Sequence, residues 1–472
     1  MTTRLTALLL LFSTILPTAF GQKITIQFAA TPTATPSVSK AILKFNKDFA
    51  YSFTFDDATI DAFTCGMPVL KGGFVSQIGV AYPSLFTTDG CGNDVPFGAG
   101  IAWNSVNQLD VDVHEGNVAD RLTWRQLDTL FDAGWDVLNH SYSHRSRSVS
   151  AMSASDYVFE ILQNMAVVKQ KTRLRLQTPT FVVPAGDDNY PPFAFQNGAK
   201  VVFNQSGDVI GYSGLRLDAD VDFSKVIHRQ LLEESISSLN FLDSVAKRSV
   251  GGVHIWYNEF THRIDDFGLT GFNFYVFKNH IQRIAATWGK QGSDRVWFAP
   301  LEEVSDYLRL RQTLKIAPIL RGQQIDVTFD FSQIPMGLRR KTVTLLVNSA
   351  TDFTRVDASA GIRVVSFRGS GDVKIINLDF SNIRLSASDL PKTALALYLS
   401  PNPTVGILTV EVPNATVENG QISVFDTAGR VVLQGKMVGQ KAQLLTASLA
   451  HGAFVVVVRE GQQIWRGKFI IN

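Results

Sequence analysis

Between Phe49 and Arg311 short strand patterns alternate with longer helical ones, and after Arg311 the helical patterns stop. That alternation constrains the fold more than any other feature, because consecutive strand–helix–strand units lay their strands parallel with the helices outside. Tyr51–Phe55 is a short apolar strand pattern. Trp124–Ala133 carries Leu127, Leu130 and Phe131 on one helical face, with Thr123 as its cap. Trp135–Asn139, Thr180–Val183, Lys200–Phe203, Gly252–Tyr257 and Val296–Ala299 read as further strands. Ser153–Lys171, Phe274–Trp288 and Leu301–Arg311 read as helices. The pattern predicts an α/β domain with a parallel sheet, open or barrel-like, whose functional residues sit where strands end.

Residues 312–390 show strand runs at Ile325–Phe331, Thr342–Val347, Ile362–Phe367 and Val373–Leu378, separated by turn residues. That is the pattern of a small all-β sandwich. Residues 391–472 repeat the style, so two small all-β sandwich-like domains are expected after the α/β domain. Residues 22–44, rich in Thr, Pro, Ala and Ser, read as a linker or extended lead-in.

The chain has 472 residues, 45% of them hydrophobic, and a net charge of +2. This suffices for several cores, and with no Lys/Arg block it argues against nucleic acid or an anionic membrane surface as partner. Arg4, the apolar stretch Leu8–Leu16 and the small residues of Ala19-Phe20-Gly21 read as a secretory signal (residues 1–21) cleaved before Gln22. No later run of about 18 apolar residues follows, so no transmembrane segment is expected in the mature chain. Export makes Cys65 and Cys91 candidates for a disulfide. It would close a loop of about 26 residues and stabilise by roughly 3 kcal/mol.

Two strings carry chemistry: Phe53-Thr54-Phe55-Asp56-Asp57 and His140-Ser141-Tyr142-Ser143-His144. One carboxylate and two imidazoles suffice to hold a zinc-like ion with a coordination position left open. The remaining carboxylate is then free to act as a general base. His140 and His144 stand one helical turn apart or span a tight loop, and either arrangement brings two ring nitrogens to one point.

These strings resemble two motifs of the polysaccharide deacetylases, the NodB-homology or carbohydrate esterase family 4 enzymes. Thr54-Phe55-Asp56-Asp57 is similar to the first motif, and His140 to His144 fit the His-Ser/Thr-x-x-His pattern of the second. The resemblance implies a distorted (β/α) barrel over residues 45–311. It implies Asp56 as general base, and Asp57, His140 and His144 as ligands of a divalent ion, most often Zn2+, with Co2+ or Ni2+ as alternatives. The third family motif, Arg-x-Pro-aromatic-Gly, is matched by Val182-Val183-Pro184-Ala185-Gly186. Val182 replaces the arginine that orients the base, and Ala185 stands at the aromatic position whose backbone amide contacts the oxyanion. Arg145 is the candidate replacement for that arginine, and Ala58 stands where the family has glycine. The last motif supplies a general-acid histidine. His262 is the first choice and His254 the second, with Asp220 or Asp222 as carboxylate partner. Trp256 and Tyr257, beside them, are candidates to line a carbohydrate cleft.

At the other end, Tyr398–Pro403, Val424–Val432, Leu449–Val456 and Lys468 resemble a type IX secretion sorting domain. That resemblance implies a Gram-negative source, passage through the periplasm, engagement of the type IX machinery, and a final place outside the cell or on its surface. Together the readings predict a secreted metal-dependent hydrolase removing N- or O-linked acetyl groups from an acetylated polysaccharide. The alternatives are a glycan-binding barrel with impaired catalysis, and a metal-dependent hydrolase of another non-peptide C–N amide.

Overall fold

The computed structural model describes residues 22–471 apart from 174, 206–213, 234–239, 265–266, 269–271, 336, 384–393, 414–415, 427–430, 448 and 461–462. The signal segment therefore lies outside the described residues, as do 427–430 of the sorting-domain hairpin.

Seven parallel strands close into a barrel. In chain order they are Phe49–Phe55, Gly100–Trp103, Asp136–Asn139, Thr180–Val182, Val201–Gln205, Ile227–Leu231 and Ile255–Thr261. Closure comes from the seventh strand pairing with the first, from Ile255 against Phe49 to Thr261 against Phe55. The barrel is distorted beside the first strand. Val296–Phe298 pairs with its lower half, and the second strand reaches only Thr54 and Phe55.

The first strand is buried along its whole length because both its faces are covered. Phe49, Tyr51, Phe53 and Phe55 face outward into the main apolar core. There Phe53 meets Phe277 of the helix Phe274–Trp288 at 5.3 Å, and Phe55 stacks on Trp135 at 5.7 Å. The alternate residues Ser52, Thr54 and Asp56 face the barrel interior. Helix starts are set locally: Thr123 and Ser153 each form a capping box, with Gln126 and Asp156. The helices expected at 124–133, 153–171, 274–288 and 301–311 are present to within two residues at each end.

The first all-β domain differs from expectation in its membership. Lys23–Phe28 pairs with Gln324–Asp330 and Phe353–Ala358, and Ser37–Lys40 pairs with Thr342–Asn348. Residues 22–44 thus supply two strands to the sandwich rather than a linker. Ile24, Ile26 and Phe28 point into its core, which is why this stretch is ordered. Its two four-stranded sheets run 315–321, 324–330, 23–28, 353–358 and 37–40, 342–348, 374–379, 363–368. Arg339 and Arg340 join sandwich to barrel through the buried carboxylate of Asp136, at 2.6 and 2.7 Å.

Cys65 and Cys91 are not bridged, which corrects the expected disulfide. Cys65 is buried among the core residues around the first strand. Cys91 lies in a turn closed by Asp89, which accepts from the Cys91 and Asn93 N–H groups at 2.8 and 3.0 Å and from Ser366 of the sandwich at 2.5 Å.

Residues 385–472 form a second compact unit. Its sheets order as 394–396, 463–471, 452–460, 417–425, 431–439 and as 398–400, 407–411, 441–445. Leu408, Val410, Ile422, Val424, Val456, Val458 and Trp465 fill the core between them. No described helix is long and apolar enough to cross a membrane.

Candidate active site

Both chemical strings lie at the carboxyl ends of barrel strands, Asp56 directly after the first and His140 directly after the third. Asp56 continues the inward series of Ser52 and Thr54, and its N–H donates to the Thr261 carbonyl at 2.9 Å. The chain then turns sharply, with Asp57 at φ 65° and Ala58 at φ 52°. Adjacent residues on an extended strand face opposite ways. The left-handed turn breaks that alternation and brings the second carboxylate to the same barrel mouth. Glycine adopts this region without strain, whereas Asp57 and Ala58 carry side chains there.

Asp57 Oδ1 lies 3.4 Å from His140 Nε2 and 3.2 Å from His144 Nε2. One donor atom from each residue falls within 4.8 Å of the others. His140 Nδ1 faces the Val182 carbonyl at 2.9 Å. A carbonyl only accepts, so Nδ1 carries the proton and Nε2 presents its lone pair to Asp57. Asp57 Oδ1 and His140 Nε2 are both shielded from solvent without a hydrogen-bond partner among the described residues. Buried acceptors are rarely left so, and a cation satisfies all three donors at once. The donor set, one carboxylate and two imidazoles, fits a zinc-type ion.

His140 and His144 span a tight loop rather than a helical turn. Ser141 and His144 have φ 64° and 57°. Glu160, buried in the helix Ala154–Lys171, holds the loop by accepting from Ser143 N–H at 2.8 Å and Ser143 Oγ at 2.6 Å. Burial alone would raise the Asp57 pKa, and positive charge on the imidazoles of His140 and His144 would bring it well below the usual carboxylate range. Burial holds His144 below the ordinary imidazole value despite Asp57 beside it.

Asp56 is oriented by a residue the sequence reading missed. Arg229, in the sixth strand, donates Nη1 to Oδ1 and Nη2 to Oδ2, both at 2.8 Å, and Nη1 to Thr54 Oγ1 at 2.9 Å. Its guanidinium also lies 4.1 Å over the Phe260 ring. This bidentate pair fixes the direction of the Asp56 carboxylate. Arg145, the expected substitute, instead lies 3.8 Å from Asp156 and 3.5 Å from Ser150 Oγ. Burial pushes the Asp56 pKa up, and Arg229 outweighs it and holds the group below its ordinary value.

His262 follows the seventh strand, and Thr59 Oγ1 donates to its carbonyl at 2.7 Å, which sets it beside the Asp56–Asp57 turn. Its Nδ1 meets Glu233 Oε2 at 2.8 Å. Glu233 is thus the carboxylate partner, and Asp220 and Asp222 are not: these pair with Arg311 and Lys225. Burial would lower the His262 pKa, but the Glu233 hydrogen bond and the charges of Asp56 and Asp57 raise it to about 9. Burial likewise opposes ionisation of Glu233, and His262 overrides it to bring Glu233 down to about 2. His254 precedes the same strand at its far end, facing the Gly252 carbonyl at 3.0 Å, away from the site.

Trp256 and Tyr257 do not line a cleft, since both are fully buried. Trp256 plugs the barrel interior, its Nε1 donating to Ser52 Oγ at 3.0 Å, while Tyr257 belongs to the outer core. Ala185 is exposed after the fourth strand with φ 50°. A cleft of about 330 Å³ opens beside Asp57 and His144, lined also by Asn104, Asn107, Arg121 and Ser143.

Residues 398–472 match the family described as the secretion system C-terminal sorting domain. Such a tail marks a secreted or cell-surface chain. No curated protein matches the chain. Among solved structures, the chain is similar to the Streptococcus pyogenes deacetylase PplD, at 17% identity over 33% of this chain and 55% of that one, TM-score 0.24. It is similar also to the BpsB deacetylase domain of Bordetella bronchiseptica, at 14% over 44% and 71%, TM-score 0.23. The de-N-acetylase of Aggregatibacter actinomycetemcomitans is a third, at 13% over 38% and 68%, TM-score 0.24. The chain spans about half the length of the first of these.

Proposed function

We propose that this protein is a secreted, divalent-metal-dependent deacetylase that hydrolyses N- or O-linked acetyl groups of a polysaccharide. One observation carries the reading: three converging donors, Asp57, His140 and His144, stand beside two braced proton carriers, Asp56 and His262. A divalent ion held by those donors, zinc first and cobalt or nickel as alternatives, would polarise an acetyl carbonyl and acidify water.

Asp56, ionised and fixed by Arg229, takes the proton of the attacking water. Arg229 sets the direction of that carboxylate and keeps it charged inside the barrel. His262, protonated and backed by Glu233, delivers a proton to the departing amine or alcohol through Nε2. The Ala185 N–H is the proposed donor to the oxyanion. Substrate lies along the cleft beside Asp57 and His144. The alternative is a barrel that binds glycan without turnover, and the Arg229 pair on Asp56 favours turnover over it. Residues 398–472 take the chain out through the type IX machinery. Acetate release from acetylated glycans, with and without chelator, tests the reading. Product analysis separates acetyl removal from hydrolysis of another amide.

A further inference from the structure

We propose that Arg121 is a positioning residue: it locks the Asp57–Ala58 turn in the left-handed conformation that aims the Asp57 carboxylate at His140 and His144. The proposal rests on the metal reading of those three residues.

Two consecutive residues with side chains, at φ 65° and 52°, are disfavoured unless the surroundings hold them. Here the segment 120–122 crosses the turn. Arg121 Nη1 donates to the Asp57 carbonyl. The Leu122 N–H donates to the Ala58 carbonyl at 2.9 Å, and the Ile60 N–H to the Asp120 carbonyl at 3.0 Å. Thr59 and Arg121 form an antiparallel bridge between the two segments. Of these contacts only the one to Asp57 comes from a side chain. Among the described residues the carboxylate beside Arg121, on Asp120, is 4.0 Å from Nε, too far for a hydrogen bond, whereas Nη1 is bonded to the turn. Without it the Asp57 carbonyl loses that donor, and the peptide can relax towards negative φ. That rotation swings the carboxylate away from the two imidazoles, 3.4 and 3.2 Å distant. The family's glycine would need less of such a clamp, and Ala58 needs more.

The test is the Zn2+ dissociation constant of the full chain, measured by competition with a chromophoric chelator. Arg121→Met keeps the aliphatic stem and loses the donors, and Arg121→Lys keeps one donor. Arg121→Met is expected to bind Zn2+ about 10–100-fold more weakly, the usual effect of removing a residue that orients a ligand. Arg121→Lys should recover most of that loss, with metal-free melting temperatures alike in all three. Should Arg121→Met fail to fold, Arg121→Leu, also without a donor, is the second variant, with the same expected loss. Zinc binding within twofold of the native chain in the donor-less variant would overturn the proposal. So would an Arg121→Lys chain that binds no better than it. A native chain that binds no Zn2+ would instead overturn the metal reading itself.

Discussion

Arg229→Met isolates the energetics of the buried Asp56 carboxylate. Methionine fills much of the arginine's volume but leaves Asp56 without a cation. Asp56 and Arg229 are each 1% exposed and share two 2.8 Å hydrogen bonds. Removing one member of such a pair costs about 3–5 kcal/mol, because the other charge stays buried and uncompensated. In the native chain the folded pKa of Asp56 lies below its ordinary value. The pair therefore stabilises above the unfolded pKa of about 3.9, and the stabilisation is lost as pH falls through the folded value. In the variant burial, the largest influence, is opposed only by His140 and His262, the Arg229 contribution is gone, and the folded pKa rises. The penalty is then fully present at neutral pH and shrinks as the medium is acidified. Urea unfolding of the chelated proteins at two pH values, one near neutral and one near 5, reads both effects. The expected deficit is about 3–5 kcal/mol near neutrality and clearly less at the lower pH. Asp56→Asn combined with Arg229→Met removes both charges and should recover part of the deficit. Turnover of Arg229→Met should fall by about 10²–10⁴-fold, the usual worth of a general base. A deficit under about 1 kcal/mol, or one that does not change with pH, would refute the claim that Arg229 keeps a buried base ionised.

Three other outcomes are expected. Asp56→Asn should keep its metal but lose most turnover, read by metal content and acetate release; loss of the metal would contradict the division of roles between Asp56 and Asp57. In the chelated protein the His262 imidazole should titrate near 9, and Glu233→Gln should bring that midpoint down, read by NMR. Because the folded pKa is raised, this interaction stabilises fully below about 6.5 and is lost as pH rises towards 9; an unmoved midpoint would break the pairing. A chain ending at residue 390 should stay active yet remain in the periplasm, and its normal export would contradict the sorting role of residues 398–472.

The metal-type donors were legible because their chemistry is concentrated in two short strings at strand ends. Their supports were not, because each comes from a distant element. Arg229 lies 173 positions from Asp56, on a five-residue strand too short to show a period. Its one available signal was an arginine set among Ile227, Leu231 and Leu232, a costly charge for a buried strand unless paired. Glu233 follows just after, and the parallel pairing of the sixth strand with the seventh brings it to His262. The four-residue strand Gly100–Trp103 escaped for the same reason. Lys23–Phe28 does alternate Ile24, Ile26 and Phe28, yet its partners lie some 300 residues on, beyond any local window. Trp256 was misplaced because inward alternation on a strand does not say whether inward means a cleft or a filled barrel.

The most direct test of the central claim is acetate release by the full chain from chitooligosaccharides, peptidoglycan and acetylxylan, before chelation, after it, and after Zn2+ is returned. The account predicts release from at least one glycan, lost on chelation and restored by the metal. A zinc-loaded chain that frees no acetate from any of them would contradict it.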